Sequence, residues 1–360
     1  MSSQGVETLF RGMTVTRPLS PRFAASLGYT PVERHTMIGK ILKVIGITQL
    51  AIIIVIVLLV FAAGRVAAYR NAHYFENATP AGAIERKYTA MGPLSVSYVE
   101  YEADDADGIG KYEIWYPSDA ADSDRAYPLV VMANGTGVKA SAYAEVFRHL
   151  ASWGFVVAGN EDEWSWDGGS SSETLAFALR QNDDASSVLH GLIDTENIGI
   201  AGHSQGGVGA INAVTSQDNG GRYRAMWTAS ATHAELAEGL GWPYDVSRVG
   251  IPYMMVAGTG AADGGDRDQG GDTAGIAPLS SLEENYDAIP DGVPKVMARE
   301  RGRDHGDMLR YADGYMTAWF SYWLKGDTEA GQAFSGTDAE LATNPNWQDV
   351  RICAGNQDVS

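Results

Sequence analysis

Cysteine is almost absent from this 360-residue sequence, which contains only Cys353. A single cysteine excludes an intramolecular disulfide, so cystines do not hold the fold together even if the chain is exported. No motif surrounds Cys353, and we assign it no catalytic role. Internal repeats are also lacking, and the 42 glycines follow no fixed period, which excludes collagen-like and low-complexity chains.

Positive charge is scarce. The sequence has 26 lysines and arginines against 45 aspartates and glutamates, a net charge of −19. The first 70 residues carry +6, which leaves −25 on the remaining 290. Such a body should repel nucleic acid and anionic lipid headgroups. We therefore expect no nucleic-acid partner and interpret the charge as one that maintains solubility.

One long and strongly apolar stretch lacks charged residues, the 20 residues 44–63 (VIGITQLAIIIVIVLLVFAA). About 20 apolar residues suffice to cross a bilayer as a helix. The stretch therefore predicts an uncleaved membrane anchor. The alternative is a cleaved signal peptide, with Met37 as the true start and a secreted product.

The basic residues flanking this stretch bear on its orientation. Arg34, Lys40 and Lys43 precede it, whereas Arg65 and Arg70 follow it. This excess favours a cytoplasmic N-terminus and an extracytoplasmic body. The sequence thus predicts a cytoplasmic tail (1–40), a transmembrane anchor (41–64), a juxtamembrane linker (65–92), a catalytic domain (93–328) and a C-terminal tail (329–360).

From residue 93, strand-like and helix-like patterns alternate. The predicted strands are 95–102, 110–117, 127–134, 155–159, 197–202, 223–230, 251–258 and 293–299, and the predicted helices are 140–154, 172–192 and 307–327. Continuous apolar strands are typical of buried parallel sheets. The pattern predicts an α/β fold with a mostly parallel, doubly wound sheet, whose ligands bind at the carboxyl ends of the strands.

The pentapeptide 202–206, Gly-His-Ser-Gln-Gly, fits G-x-S-x-G. This motif forms a sharp turn from strand to helix that exposes the serine hydroxyl, and the flanking glycines leave room for the turn. Here it follows the apolar strand 197–202 and precedes a helix-compatible run. We therefore predict Ser204 to be a nucleophile rather than an idle serine in a glycine-rich turn.

A serine nucleophile needs a base, and seven histidines are available. His305 lies after the last predicted strand and before the last predicted helix, where the Ser–acid–His chain order puts the base. His233 is the second candidate. His203 adjoins the nucleophile in sequence and is expected to point elsewhere.

The acid that orients this base should follow strand 251–258. The loop there offers Asp263, nearest the strand, and then Asp266, Asp268 and Asp272. We predict Asp263, with Asp266 as the next candidate. Residues 266–272 also resemble a calcium loop faintly, but they lack the distal glutamate and the full spacing, so no metal is predicted.

The developing oxyanion needs two backbone N–H donors. We expect one from Gln205, directly after the nucleophile, and one from Thr136 in the loop after strand 127–134. Trp164, Trp166 and Trp227 lie in or after strand ends near the predicted site. They could form an aromatic platform for an acyl or aryl group, although ordinary packing explains each of them equally well.

Three segments resemble one branch of the α/β-hydrolase superfamily. Residues 127–161 (YPLVVMANGTGVKASAYAEVFRHLASWGFVVAGNE) are similar to the strand–HG–helix–strand segment of the dienelactone hydrolase, chlorophyllase and bacterial polyester-hydrolase (cutinase-like) branch. GHSQGG resembles its nucleophile turn and RDHGDM its histidine loop. The likeness covers about residues 93–328, with Asn134 where the branch usually has histidine.

Together, these residues predict ester hydrolysis through a Ser204–His305–Asp263 triad and an acyl-enzyme, with a small-molecule or polymeric ester as substrate. No cofactor is implied. Only residues 231–250 separate strands 223–230 and 251–258, which leaves little room for a lid. A serine peptidase or acyltransferase would use the same residues. A non-catalytic surface interaction protein is the alternative outside enzymes.

Overall fold

A computed structural model describes residues 78–103, 108–118, 125–266 and 274–355. The predicted membrane anchor lies outside these residues. Within the described ranges, no helix combines the length and the hydropathy needed to cross a membrane.

The described part of the chain alternates between strands and helices. Its strands are β1 Val96–Glu102, β2 Lys111–Pro117, β3 Tyr127–Ala133, β4 Val156–Asn160, β5 Ile193–His203, β6 Tyr223–Ala229, β7 Tyr253–Gly258, β8 Lys295–Glu300 and β9 Trp347–Cys353. Its α-helices are α1 Ala83–Thr89, α2 Ala144–Ser152, α3 Gly169–Asp183, α4 Gln205–Thr215, α5 Ala234–Gly239, α6 Ala261–Gly264, α7 Leu279–Ala288, α8 Met308–Tyr311, α9 Asp313–Lys325, α10 Thr328–Gly331 and α11 Glu340–Thr343.

These nine described strands form one sheet in the order β1-β2-β4-β3-β5-β6-β7-β8-β9. The pairs from β4 through β3 and β5 to β8 are parallel, whereas β1/β2, β2/β4 and β8/β9 are antiparallel. The prediction of a mostly parallel sheet is therefore confirmed. The arrangement is that of an α/β-hydrolase fold.

Helices cover both faces of this sheet, because the central strands are apolar on both sides. All seven residues of β3 are buried. One core contains Phe147 of α2 and Phe320 of α9, and the other contains Leu175 of α3, Ile211 of α4 and Leu282 of α7. Because these strands are parallel, their carboxyl ends lie along one edge of the sheet. The loops that follow β3, β5, β6, β7 and β8 meet at this edge.

A buried carboxylate joins the N-terminal helix to the C-terminal strand. Glu85 of α1 is 1% exposed. Its oxygens accept hydrogen bonds from Asn344 Nδ2 at 2.9 Å, from Trp347 Nε1 at 2.8 Å and from the backbone N–H of Ala81 at 2.8 Å. Because a buried carboxylate requires such donors, α1 and β9 belong to the folded body.

Three segments differ in the structure from their predicted extents. The linker 65–92 contains α1, and the tail 329–360 contains α10, α11 and β9, which pairs with β8. The helix predicted over 172–192 spans Gly169–Asp183 and stops where the Asp184 carboxylate accepts the Ser186 backbone N–H at 2.8 Å. That local bond offers the backbone an alternative to the helix.

In the turn from β5 into α4, two glycines lie so close to neighbouring backbone atoms that a side chain would not fit. A Cβ atom on Gly202 would lie 2.0 Å from the carbonyl oxygen of Gly206. On Gly206 it would lie 2.1 Å from the carbonyl oxygen of Ala133, at the end of β3. Only glycine fits at either position, because the obstructing atoms belong to the backbone.

We expect Gly206→Ala to lower the free energy of unfolding by about 2 kcal/mol or more, since β3 or α4 must move to admit the methyl group. The matched control is Gly221→Ala, where an added Cβ meets nothing within 4 Å. That variant should stay within about 0.5 kcal/mol of wild type. Urea denaturation of both variants makes the measurement, and equal midpoints would contradict the packing argument.

Candidate active site

Ser204 occupies the turn between β5 and α4. Its backbone has φ 59° and ψ −124°, a conformation that costs a non-glycine residue about 1–3 kcal/mol. The backbone N–H of Ser204 donates to the carbonyl of Ala229, at the end of β6, at 3.0 Å. The strained turn is thereby fixed between β3 and β6, and the serine side chain is partly exposed at the edge of the sheet.

The structure brings the predicted base and acid together. His305 Nδ1 lies 2.8 Å from Asp263 Oδ1. Asp263 is fully buried, and its other oxygen accepts the Ser230 hydroxyl at 2.6 Å and the Gly258 backbone N–H at 2.7 Å. Since a carboxylate accepts, the proton of the neutral ring is on Nδ1. Nε2 then carries the lone pair that a general base requires.

His203 connects the strand that precedes Ser204 to His305. Its Nε2 lies 2.8 Å from the backbone carbonyl oxygen of His305, and the two imidazole rings are 4.7 Å apart. A carbonyl only accepts, so His203 Nε2 carries the proton. Burial, together with the nearby charge of His305, lowers the pKa of His203 to about 4. His203 is therefore neutral near neutral pH, and it holds the backbone of His305 rather than pointing away as the sequence suggested.

Asp304 joins the loops that carry Asp263 and His305, and sequence reasoning missed it. Its carboxylate accepts backbone N–H groups from Ala262 at 3.2 Å, Asp263 at 3.0 Å and His305 at 2.9 Å. Burial opposes ionisation of Asp304, but these bonds outweigh it and lower the pKa of the carboxyl group. The available signal was the spacing Asp304-x-x-Asp307, which forms a capping box over the turn His305–Asp307.

The loop after β3 presents one unused N–H group. Gly135 N–H donates to the Tyr143 hydroxyl at 2.9 Å, and Gly137 N–H donates to the carbonyl of Glu163 at 3.0 Å. Between them, Thr136 is exposed, and its N–H has no partner among the described residues. Gln205 begins α4, so its N–H has no acceptor within that helix. Both predicted oxyanion donors are thus available.

The three tryptophans differ in position. Trp164 is 57% exposed and follows Glu163, whose carbonyl binds the loop after β3. Trp166 is half-buried, and its carbonyl accepts the Asn212 side chain at 2.9 Å. Trp227 is fully buried in the core of the sheet. The expectation that Trp227 contributes to a substrate platform is therefore wrong, because no solvent-facing surface of its side chain remains.

The other candidates lie elsewhere. His233 Nδ1 accepts the Leu236 backbone N–H at 3.4 Å and caps α5. Asp266 is exposed, and Asp268 and Asp272 lie outside the described residues. In the described part of the chain, no group of three or more histidine, cysteine or acidic side chains could hold a metal ion. Most of the acidic stretch 266–272 lies outside the described residues.

Comparison with known proteins agrees with this architecture. The PET hydrolase-like family model matches residues 72–258, just over half of the chain. Cutinase 2 of Thermobifida cellulosilytica is 27% identical over 248 residues, which cover 67% of this chain and 84% of that protein. Bis(hydroxyethyl) terephthalate hydrolase of Streptomyces coelicolor is 29% identical over 245 residues, which cover 67% of this chain and 71% of that protein. The chain therefore belongs to the PET hydrolase-like, cutinase-like family of α/β-hydrolases.

Proposed function

We propose that this protein is a serine hydrolase that cleaves carboxylic esters, with Ser204 as nucleophile, His305 as base and Asp263 as orienting acid. The observation that carries the proposal is the 2.8 Å bond between His305 Nδ1 and the buried Asp263, beside the strained turn that exposes Ser204. Each of these groups is supplied by a different loop along the carboxyl edge of the sheet. An ordinary serine on a turn has no such surroundings.

The reaction proceeds through an acyl-enzyme. Ser204 Oγ attacks the ester carbonyl carbon while His305 Nε2 takes the hydroxyl proton, and Asp263 stabilises the resulting imidazolium. The N–H groups of Thr136 and Gln205 donate to the oxyanion. His305 then returns the proton to the leaving alkoxide. Water then attacks the acyl-enzyme carbonyl while His305 takes its proton. Ser204 leaves, receives that proton from His305, and the carboxylic acid product is released.

The substrate is a neutral, bulky or polymeric ester. Between β6 and β7 the chain forms only α5 and the short turn Val246–Arg248, so no large helical lid is built there. The exposed ring of Trp164 offers an apolar surface next to the loop of Thr136. The negative charge of the body disfavours anionic substrates. The names of the related cutinases and of the bis(hydroxyethyl) terephthalate hydrolase agree with this class.

The uncharged stretch 44–63 supports a second proposal, that the hydrolase body is held outside the cell membrane by a single N-terminal helix. The length matches a membrane span, and the basic residues before it favour a cytoplasmic N-terminus. An enzyme attached in this way would act on esters that reach the cell surface.

A fluorophosphonate probe should label the protein at one residue, Ser204. The physical reason is that only a serine next to a base and facing oxyanion donors reacts quickly near neutral pH. Ser204→Ala should abolish both labelling and hydrolysis of p-nitrophenyl esters, while its circular dichroism and urea midpoint stay unchanged. Mass spectrometry locates the label. Labelling that persists in Ser204→Ala would show another nucleophile, and a folded wild type without labelling or hydrolysis would favour a non-catalytic surface protein.

His305→Ala and Asp263→Asn should each lower kcat by about 10³-fold or more, because both break the activation of one nucleophile. Asp266→Asn is the matched control, since Asp266 lies on the same loop but is exposed. It should retain wild-type kcat in the same p-nitrophenyl ester assay. An inactive Asp266→Asn beside an active Asp263→Asn would reverse the assignment of the acid.

Protease added to intact cells that produce the full chain should remove the hydrolase body and spare a cytoplasmic marker protein. An immunoblot against the C-terminus follows the loss. Protection of the body until the cells are lysed would contradict the orientation. A soluble mature form in the medium would instead indicate cleavage of the N-terminal segment.

A further inference from the structure

Tyr143 contacts the site from outside the triad. It ends the short turn Ala140–Tyr143 that leads into α2, and its side chain is only 6% exposed. Its hydroxyl oxygen accepts the backbone N–H of Gly135 at 2.9 Å. Gly135 is buried and directly precedes Thr136, one of the two residues whose N–H groups receive the oxyanion in the proposed reaction.

The bond to Tyr143 determines how the peptide between Asn134 and Gly135 is oriented. An N–H group lies in the plane of its peptide, so fixing the hydrogen bond fixes the plane. The peptide that ends at Gly137 is fixed as well, because its N–H donates to the carbonyl of Glu163. Thr136 therefore lies between two peptides whose orientations are set. The N–H of Thr136 is therefore held in one orientation by its neighbours, although it has no acceptor of its own among the described residues.

Close packing holds the same loop against the nucleophile strand. A Cβ atom on Gly135 would lie 3.3 Å from both the Tyr143 hydroxyl oxygen and the carbonyl oxygen of His203. Gly135 is thus confined between the Tyr143 side chain and His203, the residue directly before Ser204. If the hydroxyl were absent, Gly135 N–H would be a buried donor without an acceptor, which is unfavourable. Rotation of the peptide towards the cleft is one way to relieve that cost.

We propose that Tyr143 is a positioning residue of the oxyanion site, whose hydroxyl holds the Asn134–Gly135 peptide so that the Thr136 N–H faces the reacting carbonyl. This inference rests on the proposed ester hydrolysis. A neutral hydroxyl suits the role, because a phenolate so close would repel the developing oxyanion. Burial raises the pKa of Tyr143 to about 12, against a smaller opposing effect of the bond from Gly135, so the hydroxyl stays protonated.

The test compares Tyr143→Phe with wild type, both as the full chain. With a p-nitrophenyl ester, kcat should fall about 10-fold to 100-fold while KM stays nearly constant, because the oxyanion donor acts mainly in the transition state. The matching thionoester gives a more specific readout, since sulfur accepts hydrogen bonds poorly and gains little from the oxyanion site. The ester-to-thionoester ratio of kcat/KM should therefore fall in Tyr143→Phe.

The control is Tyr253→Phe, which also removes a buried hydroxyl; Tyr253 begins β7, and its hydroxyl lies 2.8 Å from Thr228 Oγ1 rather than from the loop after β3. It should keep the wild-type ratio and kcat. Site-specific 3-fluorotyrosine at position 143 keeps the shape but weakens the acceptor. It should give a ratio between those of wild type and Tyr143→Phe, and it serves as the test if the phenylalanine variant does not fold.

The outcomes separate this inference from the proposed function. A wild type that neither hydrolyses the ester nor reacts with a fluorophosphonate would overturn ester hydrolysis itself. An active wild type, with a folded Tyr143→Phe that keeps the wild-type ratio, would overturn only the role of Tyr143. A fall in kcat with an unchanged ratio would also overturn it, since the loss would then be general rather than specific to the oxyanion.

Discussion

Burial of the Asp263 carboxylate is the constraint around which the site is organised. A fully buried charge is tolerated only when hydrogen-bond donors surround it. Those donors come from three strands: Ser230 follows β6, Gly258 ends β7, and His305 follows β8. The hydrogen bonds that this carboxylate requires therefore hold the ends of β6, β7 and β8 close together. Ser230 adopts φ 49° there, which indicates that the loop after β6 accepts backbone strain beside the acid.

Several features of this site could be predicted from sequence because local rules govern them. The turn at Ser204 needs glycines at 202 and 206, and the close backbone approaches at both positions explain that requirement. Chain order alone indicated where His305 and Asp263 would lie, and the structure pairs them. The apolar strands predicted a parallel sheet for the same reason: residues buried on both faces leave an unbroken apolar run.

The remaining features depend on contacts between distant segments. After the buried Trp347, the edge strand β9 is mostly half-buried, so it shows no clear alternation of buried and exposed positions. The roles of His203 and Asp304 depend on backbone groups of distant loops, and the local capping pattern of Asp304 does not reveal its bonds to the loop of Asp263. Trp227 was misjudged for a different reason. It lies within a strand covered on both faces, where a large ring packs in the core whatever the chemistry nearby.

The hydrogen bonds to Glu85 have a practical consequence for where a recombinant fragment of this protein can begin and end. Asn344 and Trp347 direct their side-chain donors at a carboxylate that lies more than 250 residues earlier, and Asn346 Nδ2 donates to the carbonyl of Thr79 at 2.8 Å. A recombinant fragment begun at residue 93 would discard both acceptors and leave two buried donors unsatisfied. A fragment that keeps these described partners begins at or before Thr79 and continues through β9.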